Sequence, residues 1–164
     1  MQKNITLLLC IFIIILMSAV AVCAEKNPDE KAEIHLSKKV RRLLSAEMNR
    51  IQNGMTNLVI AVSAGKWNEI SLVSGKMEKG YIMRQKLTEE QREEFNSSLP
   101  EGYKKINNEF QEVLSHLIRA AVEHDGLLVN SYFSRLNKTC ISCHSKYAKK
   151  RFPGFKSMKL GERN

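Results

Sequence analysis

Near the end of the chain stands the run Cys140-Ile141-Ser142-Cys143-His144. Two thiols three positions apart, with an imidazole beside the second, have the spacing by which a c-type haem is attached. The thiols can hold one edge of a porphyrin through thioether bonds, and the imidazole of His144 can ligate the iron from one face. An iron porphyrin does chemistry that no side chain does alone, so this pentapeptide bears on the functional class more than any other segment. Two other readings compete. A structural zinc normally takes four ligands, and His35, His116 and His124 form no compact pattern with the two cysteines. A thioredoxin-like dithiol expects a βαβ setting and makes no demand on His144.

The motif asks for a helix, because residues three and four apart share one helical face. The second axial position is less determined. Methionine is a common partner of histidine in electron-transfer haems and raises their potential. Met48 and Met55 share a face, but seven residues of helix separate them by about 10 Å, so only one reaches a given iron. Met77 and Met83 are further candidates, and any methionine also serves as a core filler. His124 would give a bis-histidine haem, but an imidazolium at a helix end is equally a partner for the helix dipole. His116 and His35 are weaker options.

Helices are what the apolar spacing provides. Val40, Leu43, Leu44, Met48, Ile51, Met55, Leu58, Val59 and Val62 make one stripe, predicting a helix over about 30–64 that stops at Gly65. Trp67, Ile70, Val73, Met77 and Tyr81 predict a second over about 67–86. Thr88 with Gln91 is a capping-box signal for a short acidic helix over about 89–98, and Pro100 and Gly102 reset the chain. Ile106, Phe110, Val113, Leu114, Leu117 and Ala121 predict a third long helix ending near Asp125-Gly126. The last, over about 127–150, carries Leu128, Tyr132, Leu136, Cys140, Cys143 and Tyr147, and Pro153-Gly154 ends it. Four long amphipathic helices with short connections predict an all-α fold, an antiparallel four-helix bundle with a short extra helix in the middle connection.

The N-terminus reads as an export signal. Lys3 precedes an apolar run from Ile5 to Val22, and Val22-Cys23-Ala24 fits a small-x-small cleavage site. The expected division is a signal peptide over residues 1–24 and one haem-binding domain over 25–164. An uncleaved anchor is the alternative, since about 18 apolar residues barely cross a bilayer. Cys23 is a poor site for lipid attachment after the bulky Val22. Cleavage removes Cys10 and Cys23 and leaves only the two motif cysteines. The full chain has a formal charge of +9, and eight lysines or arginines lie between residues 138 and 164 against the single acid Glu162. That bias favours an acidic protein or anionic surface as partner. Nucleic acid is excluded on the ground that an exported chain seldom meets it.

With these elements the chain resembles the cytochrome c prime and cytochrome c-556 group of four-helix-bundle haem proteins, over essentially the whole mature length. The elements that carry the resemblance are Cys-Ile-Ser-Cys-His-Ser-Lys-Tyr late in the last helix, and Met48-Asn-Arg-Ile-Gln-Asn-Gly-Met55 leading into Ala64-Gly-Lys-Trp67. The resemblance implies one covalent haem c held by Cys140 and Cys143, with His144 as proximal ligand. It places Met48 at the sixth position of the low-spin members. The arginine that follows the aromatic in many relatives is Ala148 here, so contacts to the haem propionates do not carry over. The expected function is single-electron transport in the periplasm, without enzymatic activity, to or from a redox protein steered by Lys138, Lys146, Lys149 and Lys150. A high-spin iron binding small gases such as nitric oxide or carbon monoxide is one alternative. A non-redox structural or interaction bundle is another. The resemblance also allows an antiparallel homodimer, and a cleaved leader implies no stable membrane insertion.

Overall fold

Three of the five described α-helices begin where a side chain, that of Ser37, Thr88 or Asp125, accepts from a free amide of the first turn. The computed structural model describes residues 34–157, and these are all-α, with no strand among them. The export signal of residues 1–24 lies outside the described residues. Ser37 caps α1 (Lys38–Ser63), its hydroxyl accepting from the Val40 N–H at 3.3 Å. The expected start near residue 30 is therefore too early over residues 34–37, which are not helical. Residues 30–33 lie outside the described segment. α1 stops at Ala64, and Gly65 turns the chain with φ 61°, a conformation that costs glycine little.

α2 (Trp67–Lys79) ends seven residues earlier than its apolar stripe predicts. Gly80 takes φ 66°, and the next three residues give their amides to a side chain of α1 instead of to a further turn. α3 (Glu89–Ser98) has the expected capping box, with both the Thr88 and the Gln91 side chains bonded. α4 (Glu101–Val122) follows Pro100 directly. α5 (Gly126–Tyr147) begins at Asp125, whose carboxylate accepts from the Leu128 N–H at 2.9 Å. Its last residue is Tyr147, three residues before the predicted end. A 3-10 turn over Pro153–Ser157 closes the described chain.

α1 lies against α2, α2 against α4, and α4 against α5. Among the described residues α1 and α5 share no extended backbone contact. The main core runs through these pairs. Leu58, Ile70, Leu114, Leu117 and Leu136 are wholly buried within it. Each contributes about 1.5–3 kcal/mol of hydrophobic burial. A second, smaller cluster of Val40, Met83 and Leu87, with Phe95 packed on it, fastens the start of α1 to the 82–87 segment and to α3. Ser37 adds two hydrogen bonds to Glu94, at 2.7 and 3.0 Å. At the far end, Trp67 stacks on His124 with ring centres 5.6 Å apart. The C-terminal end of α5, with its motif, lies beside the start of α4, where Tyr147 meets Tyr103.

Candidate functional site

The last two turns of α5 carry Cys140, Cys143 and His144. Leu136, one turn earlier and fully buried, anchors that face in the core. The buried hydroxyls flanking the motif are satisfied within the helix: Thr139 donates to the Leu136 carbonyl at 2.7 Å and Ser145 to that of Ser142 at 3.1 Å. The helix is thus intact through the motif, and its polar neighbours are already engaged. Both cysteines are free thiols and half-buried. Burial pushes both thiols up, and for Cys143 the neighbouring Cys140 adds to a value of about 11. Burial and then the Arg151 charge hold His144 below the ordinary histidine range. Its imidazole is therefore neutral at physiological pH, with a nitrogen lone pair available to a metal.

Beyond α5 the chain folds back over that imidazole. The Arg151 and Phe152 amides both donate to the Ala148 carbonyl, at 2.9 and 3.0 Å. This turn stacks Phe152 on His144 at 4.4 Å between ring centres, 19° from parallel, with Phe155 at 6.5 Å. The arrangement holds the ring's orientation through packing. On another side, Tyr147 meets Tyr103 edge-on at 5.6 Å, and Tyr103 meets Phe95 at 6.3 Å. Burial raises the Tyr103 phenol far above the ordinary tyrosine range, and charges on Cys143 and Glu47 add to the shift. Tyr103 therefore joins α3, through Phe95, to the end of α5, through Tyr147.

The four candidate methionines have different environments. Met77 is 1 % exposed, and a Cβ added at Gly54 would lie 2.7 Å from its sulfur, so it fills the space beside the α1 backbone. Met83 is buried in the smaller cluster, and Met55 packs on the main core. Met48 is half-buried and belongs to neither cluster among the described residues. It is the candidate whose side chain is least committed to packing.

The alternative histidines lie elsewhere. His124 is at the start of the turn into α5, and Gly126 to His144 along that helix is about 27 Å. His116 stacks on Tyr132 at 5.1 Å and approaches Glu112 at 3.5 Å, three turns from the motif. His35 is exposed ahead of α1. Among the described residues the rings packed on His144 are those of Phe152 and Phe155, and none of these three histidines is among them.

Among the described residues, no three His, Cys, Asp or Glu side chains are arranged to hold a metal ion by themselves. Surface clefts run along α1 (about 410 Å³, lined by Lys38, Arg41, Arg42, Ser45, Ala46 and Asn49) and between α1 and α2 (about 240 Å³). Neither is lined by a motif residue. Lys138, Lys146, Lys149 and Lys150 are all exposed. No described helix is long and apolar enough to cross a membrane.

Sequence reasoning passed over Glu47, Tyr103, Phe152 and Phe155. Glu47 had left a trace, an acid on the stripe between Leu44 and Ile51, where a carboxylate has to be bonded to be buried. The aromatic pair around Pro153-Gly154 was a second signal. Tyr103 had none, since its role depends on contacts across helices. No family model, curated protein or solved structure matches the chain.

Proposed function

We propose that the chain is a c-type cytochrome of the cytochrome c prime and c-556 kind, exported to the periplasm and carrying one covalent haem for single-electron transfer. The observation that carries this reading is the motif on α5: two half-buried thiols and a neutral imidazole on one continuous helical face. These donors suit a flat macrocycle, whose edge takes the sulfurs and whose iron takes the imidazole, so they need not converge on one ion-sized point. Haem bound here supplies an iron that accepts and returns one electron.

The chain's own residues do the rest. Cys140 and Cys143 fix the macrocycle edge to α5. His144 provides its lone pair, and Phe152 keeps that ring from turning. On this reading the four long helices make an antiparallel bundle, with α1 and α5 as its open side: among the described residues they share no extended backbone contact, unlike α1 with α2, α2 with α4 and α4 with α5. Haem would lie in that seam, held by Cys140, Cys143 and His144 of α5, and Met48 of α1 would supply the second protein ligand. The exposed lysines of the α5 end face an acidic redox partner. Electron transfer needs no catalytic acid or base, and the reading assigns none.

An absorption spectrum of the exported protein in both redox states, with and without carbon monoxide, tests this. A low-spin histidine–methionine spectrum unchanged by carbon monoxide is the expected result. High-spin iron that takes up the gas would replace electron transfer with ligand binding, and a protein without porphyrin would end the reading.

A further inference from the structure

The buried acid of α1 has no part in the chemistry above. Glu47 is 4 % exposed, and its carboxylate accepts from three consecutive backbone amides, those of Tyr81, Ile82 and Met83, at 2.5 to 3.3 Å. No lysine, arginine or histidine stands at ion-pair distance from it among the described residues. Gly80, with φ 66°, turns the chain so that the three N–H groups face it. Taking a carboxylate out of water costs several kcal/mol even after relaxation. A glutamine would keep one acceptor oxygen and turn its NH2 toward these donors, so the three amides suit a carboxylate. The retained charge can also serve a purpose beyond joining α1 to the 81–83 segment.

Its position supplies one. Glu47 immediately precedes Met48, and fixing one residue of a rigid helix fixes the height and direction of the next. Met83, whose amide it binds, packs in the cluster that Phe95 covers, Phe95 meets Tyr103 at 6.3 Å and Tyr103 meets Tyr147 at 5.6 Å, so this carboxylate is at the motif end of the molecule. We infer that Glu47 is a positioning residue for the haem site: anchored by the 81–83 amides, it sets the register at which α1 offers Met48 to the iron, and it places a fixed negative charge beside the redox centre. The inference rests on the haem reading and adds to it the element that holds the sixth ligand and lowers the potential. A buried negative charge favours the ferric over the ferrous iron.

Two substitutions test it in the mature holoprotein. Glu47→Gln keeps the side chain's length and one acceptor oxygen but removes the charge. It is expected to retain the histidine–methionine spectrum while the midpoint potential rises. Glu47→Ala removes the acceptor as well. Amide hydrogen exchange at Tyr81, Ile82 and Met83 is expected to speed up at least tenfold, and the low-spin signature to give way to a high-spin one. Wild-type exchange at 81–83 together with wild-type ligation in Glu47→Ala overturns the positioning role, and a Glu47→Gln potential equal to or below wild type overturns the charge effect. If Glu47→Ala does not fold, the Glu47→Gln potential and exchange decide alone. Wild-type protein without haem would instead defeat the parent reading, and the exchange measurement would still report whether the carboxylate holds the loop.

Discussion

Leu136 connects the motif to the core, so Leu136→Ala measures how firmly α5 is held where function requires it. The side chain is wholly buried, four residues ahead of Cys140, and part of the cluster that unites α2, α4 and α5. Truncation deletes buried carbons and leaves a cavity beside the motif. Substitutions of this type cost about 2–5 kcal/mol, the upper half where the surroundings cannot collapse. Helices on both sides and a satisfied Thr139 one turn away restrict collapse, so about 3 kcal/mol is expected. At about 4 °C per kcal/mol for a domain of this size, Tm falls by about 12 °C. Urea unfolding followed by circular dichroism, read as a fall in midpoint at constant slope, gives the value. Covalent haem should remain, since neither cysteine is touched. A loss below about 1 kcal/mol would mean that α5 is not packed at Leu136, and the account of how the motif is positioned would fail.

Met48→Ala should convert a low-spin spectrum to a high-spin one without loss of covalent haem; unchanged ligation would return attention to Met55, which is half-buried against the main core. In chain prepared without haem, the Cys143 thiol at about 11 against an ordinary 9.0 leaves about a hundredfold less thiolate at neutral pH. Its alkylation by iodoacetamide should be correspondingly slow until the chain is unfolded in urea, and equal rates in both states would contradict the burial. Burial of Tyr103 makes its neutral form the folded form, so the folded state holds that proton more tightly than the unfolded. Stability from this group is intact below the ordinary tyrosine pKa of about 10 and is lost as pH rises above it. Tyr103→Phe should flatten the alkaline limb of a Tm-against-pH curve, and an unaltered limb would remove Tyr103 from the buried site.

The parts of the fold that depend on local chemistry could be read from the residues. Thr88 and Gln91 announced α3 through a capping box that depends only on positions three apart, and the long helices followed from apolar spacing. The end of α2 could not be read, because Gly80 and an acid 34 residues away stop it, and the apolar stripe runs on to Tyr81 regardless. The site divides in the same way. Cys140, Cys143 and His144 are neighbours in sequence and needed only a helix to share a face. What surrounds them is non-local: Tyr103 comes from α4, and Phe152 returns only because the turn at Ala148 folds it back. The methionines were equivalent on spacing alone. Tertiary packing separated them, committing Met77 and Met83 to the core and leaving Met48 outside it.

The whole reading requires that Cys140 and Cys143 be bonded to a porphyrin. Intact-mass spectrometry of the exported protein, denatured and extracted with acid acetone, addresses this directly. The expected mass is that of the chain plus one haem, reduced to the bare chain when both cysteines are replaced by serine. A wild-type mass equal to the polypeptide alone, with two titratable thiols, would contradict it.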